Sequence, residues 1–110
     1  MKYGLNRRWG LVLVDHVFKF NRCFNVINFA NLSQIVVVHD SENKYESKYQ
    51  YRKYKINDYF KYACKFSLYT TETLYKSTTI LSNYVDVTQY KLIFDKVSSD
   101  YKHVSCDTSL

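Results

Sequence analysis

What most constrains this chain is its shortage of residues for making turns. Proline is absent, and both glycines, Gly4 and Gly10, fall within the first ten positions. Reversals after Gly10 must therefore be built largely from Asn, Asp and Ser, whose side chains can close a turn by bonding their own backbone. Alanine, the best helix former, occurs only at Ala30 and Ala63, while strand-favouring Tyr, Phe, Val, Ile and Thr abound. These preferences predict a mainly β fold: a small antiparallel sheet, barrel or sandwich, with one short helix, and α+β as the alternative. A chain of 110 residues makes one domain, 1–110, able to bury a core of its own. Lys, Asn, Tyr, Phe and Ile have AT-rich codons. One reading of the composition is therefore an AT-rich open reading frame with no defined biochemical role.

Period-two alternation marks the expected strands. Residues 11–20 place Val12, Val14, His16, Phe18 and Phe20 on one parity, with Asn21-Arg22 as a closing turn. Cys23, Val26, Ile27 and Ala30 fit a helical face, although the intervening asparagines favour an irregular strand equally. Ile35 to Val38 reads as a buried strand that must be covered, because Gln34–Val38 is uncharged and β-prone. His39–Lys44 reads as a loop. From Tyr49 the chain is expected to run extended to Ile56, with a bulge at Arg52-Lys53 and a turn at Asn57-Asp58. A helical stripe through Tyr45, Tyr49, Ile56, Tyr59 and Ala63 is the rival, interrupted by Arg52. Phe60, Tyr62, Cys64, Phe66 and Leu68 give the clearest alternation. Residues 70–82 combine a weak helix start with strand-forming Thr and Ile, residues 84–94 alternate as a strand, and Tyr101 to Cys106 form a last edge strand.

Charge is unevenly distributed. The net charge is +6, and residues 41–70 carry seven basic groups against three acidic ones, whereas residues 71–110 are nearly neutral. The basic stretch is also aromatic: Lys44, Lys48, Arg52, Lys53, Lys55, Lys61 and Lys65 alternate with tyrosines. Cations that replace phosphate counterions, beside rings on which bases stack, suit non-sequence-specific binding of nucleic acid. The expected contact residues are Lys44, Lys48, Tyr49, Tyr51, Arg52, Lys53, Tyr54, Lys55 and Lys61. The bland counterpart is a Tyr-rich core face with a solvated Lys face. The other functional expectation is a small protein-interaction or accessory factor that uses an exposed Tyr surface or an edge strand.

Other chemistry has little support. His103 and Cys106 are spaced like a ligand pair, but zinc needs four converging donors, and neither metal nor cofactor is expected. Cys23, Cys64 and Cys106 are too few and too scattered for a disulfide framework; buried thiols and an intracellular setting are favoured over secretion. His16 and His39 could serve as an acid–base pair, yet His16 alternates with apolar residues as core histidines do, so no enzyme is expected. Asn31-Leu32-Ser33 would accept a glycan only in the secretory pathway, and Asp107-Thr108-Ser109-Leu110 resembles a PDZ-domain ligand. The segment Cys23–His39 carries too many side-chain amides for a membrane span.

Overall fold

A computed structural model describes residues 8–15, 19–69, 75–98 and 104–107. Five strands form one mixed sheet: β1 (Trp9–Val14), β2 (Ser33–Val38), β3 (Tyr62–Tyr69), β4 (Tyr75–Ser82) and β5 (Val104–Asp107). Their spatial order is β1-β2-β4-β3-β5. The helices are α1 (Lys19–Asn28), α2 (Glu46–Tyr49) and α3 (Tyr90–Ser98), joined by single turns of 3-10 helix at Asn43–Tyr45, Ile56–Tyr59 and Val87–Gln89. The fold is β-rich and of the α+β kind. It departs from a purely antiparallel sheet because β1 and β2 run parallel. A parallel pair needs a crossover, and α1 provides it.

The strand alternation places residues as the pattern implies. Val12 and Val14 stand opposite Val36 and Val38 in register, and Val36 stands opposite Leu81 across β4. Of these, Val14, Val36, Val38 and Leu81 are buried. They form one core with Cys23, Val26, Phe29 and Ala30 beneath α1, and with Tyr49, Tyr51, Ile56 and Phe60 from the 43–60 segment. The aggregation-prone β2 is flanked by β1 and β4, so neither of its edges is free. β5 is an edge strand, as expected.

Several expectations require correction. The strand predicted over 11–20 ends at Val14, and by Lys19 the chain is helical, so Asn21-Arg22 lies inside α1 and not in a turn. The helical reading of Cys23, Val26 and Ala30 is the right one, because all three are buried on one side of α1 and its extension. The expected extended run from Tyr49 to Ile56 is instead a helix-and-turn segment, and Asn57-Asp58 belongs to a 3-10 turn. Residues 84–94 enter a helix instead of a strand. Asp86 caps that turn by accepting a hydrogen bond from the Thr88 amide at 3.0 Å, which favours helical backbone over the extended alternative. His16, residues 70–74, His103 and residues 108–110 lie outside the described residues.

Polar side chains lock the loops to the sheet. Asn83 donates to the carbonyls of Ala30 at 3.0 Å and Tyr59 at 2.9 Å, and accepts the Lys61 amide at 2.8 Å. One amide side chain thereby joins the end of α1, the 3-10 turn and the start of β3. The buried Glu42 carboxylate accepts the Ser77 amide, anchoring the loop after β2 onto β4. The Ser82 hydroxyl donates to the Gln34 carbonyl and accepts the amides of Tyr84 at 3.0 Å and Val85 at 2.8 Å. Among the described residues, no helix is long and apolar enough to cross a membrane.

Candidate functional site

The residues from Asn43 to Tyr59 form a cap over one face of the sheet, and the sequence-predicted site lies almost entirely within it. With no glycine available, the cap takes its left-handed positions on ordinary side chains, Gln50 at φ 58° and Lys55 at φ 50°. The first ends α2, and the Gln50 amide bonds the Glu46 carbonyl at 2.8 Å. Both carboxylate oxygens of Glu46 accept the Arg52 amide at 3.0 Å, holding the turn that follows.

The cap turns two of its rings into the core and leaves its cations at the surface. Tyr49 is 1% and Tyr51 8% exposed, so these two rings are core and present no stacking face. Tyr54 is half-buried with its ring edge-on to Phe24, the centroids 5.2 Å apart. Lys44, Lys48, Arg52, Lys53, Lys55 and Lys61 are all exposed. Four of the lysines lean over a neighbouring ring: Lys44 over Tyr45 at 5.1 Å, Lys48 over Tyr49 at 5.2 Å, Lys53 over Tyr54 at 5.8 Å and Lys61 over Tyr62 at 5.5 Å. Each of these ammonium groups thus lies beside a ring while the lysine as a whole stays exposed. Tyr59, outside the predicted set, is 50% exposed.

The anchor that turns Tyr49 and Tyr51 inward is Arg22, expected in a turn and found inside α1. Its side chain is fully buried, with the guanidinium carbon 3.9 Å from the Tyr49 ring centroid. It donates to the His39 carbonyl at 2.5 Å and the Tyr51 hydroxyl at 3.1 Å, and it lies 4.0 Å from the Asp15 carboxylate. The Tyr51 hydroxyl in turn donates to the Asp40 carbonyl at 3.0 Å. Burial pushes the Tyr51 phenol up, against the opposing effect of the Arg22 hydrogen bond, so it remains a donor. Burial, aided by the Glu46 carboxylate and opposed by Arg22, pushes the Cys23 thiol up to about 11. That protonated thiol donates to the Tyr49 carbonyl at 3.0 Å. A buried, protonated sulfur is a poor nucleophile.

Beside Arg22, the carboxyl ends of β1 and β2 bring together Asp15, His39 and Asp40. His39 Nδ1 is 2.8 Å from Asp15 Oδ1 and 3.3 Å from Asp40 Oδ1. These donors could ligate a divalent cation, although the adjacent guanidinium already offsets the Asp15 charge. The cysteines Cys23 and Cys64 are both buried and not joined in a disulfide. They sit on opposite sides of the sheet, because Cys64 alternates with the core residue Ala63, and so they cannot share a metal.

Between the cap and the sheet is a cavity of about 310 Å³. Tyr51, Arg52 and Lys55 of the predicted site line it, together with Glu46 and Asp58 from the cap. Its sheet side carries Val38, Ala63, Lys65 and Thr79, and Thr79 donates to the Ser41 hydroxyl at 2.8 Å. Comparisons of the chain with protein-family models, curated proteins and solved structures find no match.

Proposed function

We propose that the chain is a binding module that holds nucleic acid by its phosphate backbone, without reading sequence, through the cations of the cap. The observation that carries this reading is the exposure of Lys44, Lys48, Arg52, Lys53, Lys55 and Lys61 on one short segment, with only Glu46 and Asp58 as offsetting carboxylates. Exposed cations release phosphate counterions on binding, which makes affinity fall steeply with salt. With Tyr49 and Tyr51 committed to the core, ring contacts to bases would come from Tyr54 and Tyr59, and electrostatics carries most of the affinity. The test is retention on single-stranded DNA or RNA over a salt gradient. The triple variant Lys48→Glu, Lys53→Glu, Lys55→Glu changes only exposed side chains. It should keep its circular dichroism spectrum and lose about two orders of magnitude of affinity at low salt. Retention unchanged by those reversals rejects the reading.

A second reading, a protein-interaction factor, is favoured by a different surface. On the sheet face away from the cap, Leu11 and Leu13 are 59% and 58% exposed, and they stand in register beside Ile35 and Val37. An apolar edge strand of this kind suits a protein partner held independently of salt. A partner retained at high salt, and lost on Leu11→Ser with Leu13→Ser, supports this reading; binding confined to low salt counts against it.

A further inference from the structure

We infer that the cavity beneath the cap receives one nucleotide unit, its phosphate among Arg52, Lys55 and Lys65 and its base against the sheet. The inference rests on the nucleic-acid reading above and names the part of the ligand that enters the protein. Three properties of the cavity point the same way. Its volume, about 310 Å³, is at the lower edge of the roughly 300–1,000 Å³ usual for ligand pockets, enough for one nucleotide and too little for two. Its walls present three cations, Arg52, Lys55 and Lys65, against two carboxylates, Glu46 and Asp58, which leaves one net positive charge. The excess positive charge suits a single anionic group.

The interior suits a heterocycle. Val38, Ile56 and Ala63 supply an apolar floor, while the paired hydroxyls of Ser41 and Thr79 lie beside it. A hydroxyl rotates to donate or accept, so this pair can meet the polar edge of a base without fixing which base it is. That tolerance agrees with binding that does not read sequence. Arg52 and Lys55 are exposed cap residues as well as cavity lining, so a strand lying across the cap passes the cavity mouth. The cap lysines then hold neighbouring phosphates while one nucleotide inserts.

The test is titration of the full chain with adenosine 5′-monophosphate, adenosine and inorganic phosphate, followed by calorimetry and backbone amide spectra, with a single-stranded polynucleotide run in parallel. Adenosine 5′-monophosphate should bind once per chain and shift the amides of Ser41, Ala63 and Thr79. Adenosine and phosphate alone should each bind more weakly by about tenfold at least. Ala63→Leu fills the cavity and should abolish mononucleotide binding, while the polynucleotide still binds the cap in a salt-dependent way. Should that variant fail to fold, Lys55→Glu on the exposed rim should weaken the mononucleotide about tenfold with the fold intact. Several results overturn the inference: equal binding of phosphate alone, shifts confined to the amides of Lys44 to Lys53, or full mononucleotide affinity in both variants. A polynucleotide that binds while the mononucleotide does not removes the cavity from the account and leaves the cap; failure of both removes both.

Discussion

On one face of the sheet, Val14, Val36, Val38 and Leu81 lie buried beneath α1 and the cap. One residue along the same strands, on the other face, Leu11 and Leu13 are more than half exposed. That second face is covered where the 3-10 turn bearing the buried Val87 meets β3 and β4, and it is bare at the β1–β2 end among the described residues. At that end, apolar residues of the two faces differ sharply in exposure: Val14 is buried, whereas Leu11 and Leu13 are more than half exposed. Hydrophobicity therefore does not decide which face becomes the core. The decision lies with the segments that can be fixed over a face, and over the capped face the fixing groups are polar: Arg22, Asn83 and Glu42.

The largest expected effect contrasts residues of the two faces directly. Leu81→Ala should lose about 3–4 kcal/mol in denaturant unfolding, because the cavity it leaves is fully enclosed. Leu11→Ala should change stability by about 0.5 kcal/mol or less, as exposed sites do. Equal losses at the two sites would erase the distinction between the faces.

Next in size is the anchor of the cap. Arg22→Ala removes the group that bonds the His39 carbonyl and the Tyr51 hydroxyl and stacks on Tyr49. It should cost about 3 kcal/mol, since buried polar partners are left behind. Amide exchange in residues 46–59 should rise more than exchange in β3 and β4. Uniform acceleration would mean that Arg22 supports the whole fold and not the cap in particular.

The pH dependence sharpens the same contrast. The folded Cys23 thiol titrates at about 11, above its ordinary value of 9.0, so the unfolded chain loses this proton first. Stability from this group is complete below pH 9 and declines as pH rises toward 11 and beyond, by about 2 kcal/mol at pH 11. Tyr51, raised in the same direction from an ordinary value of 10.0, adds to the loss from about pH 10 upward. Unfolding midpoints of the parent and of Cys23→Ala should converge as the medium becomes alkaline; parallel curves would contradict a buried neutral thiol. A smaller effect is expected at Asn83, where replacement by Ala should cost about 1–2 kcal/mol through its lost bonds to Ala30, Tyr59 and Lys61.

The strands were legible because alternation depends only on parity. Val12 and Val14 and the run through Cys64 and Phe66 fall in strands for that reason, and Ile35 to Val38 does so through its unbroken β-branched run. The alternation over 84–94 misleads because Asp86 caps a helical turn there. The cap was not legible, and the shortage of glycine explains why. Its left-handed residues are Gln50 and Lys55, and nothing in those side chains announces a positive φ; Asp40, just before the cap, is of a type that tolerates that region, and it falls in the loop the sequence predicts. A tyrosine-rich stretch containing such unmarked turns looks extended; the apparent slip at Arg52-Lys53 was the trace of the turns. The rival helical stripe was half right, since Tyr45 and Tyr49 do lie together, their centroids 5.7 Å apart. The exposed cations were legible from charge alone. Arg22 was not, because a buried guanidinium depends on partners as distant in sequence as Tyr49 and Tyr51. The cavity escaped sequence reasoning for the same reason, as it exists only between the cap and the sheet.

Everything proposed for the cap requires its lysines to face water while Tyr49 and Tyr51 are held inside. Limited nitration of the folded chain, read residue by residue by mass spectrometry, tests this most directly. Tyr59 and Tyr84, 50% and 56% exposed, should be modified early, while Tyr49 and Tyr51 stay unmodified until the chain unfolds. Modification of Tyr49 and Tyr51 at the rate of Tyr59 in the folded chain would contradict the account.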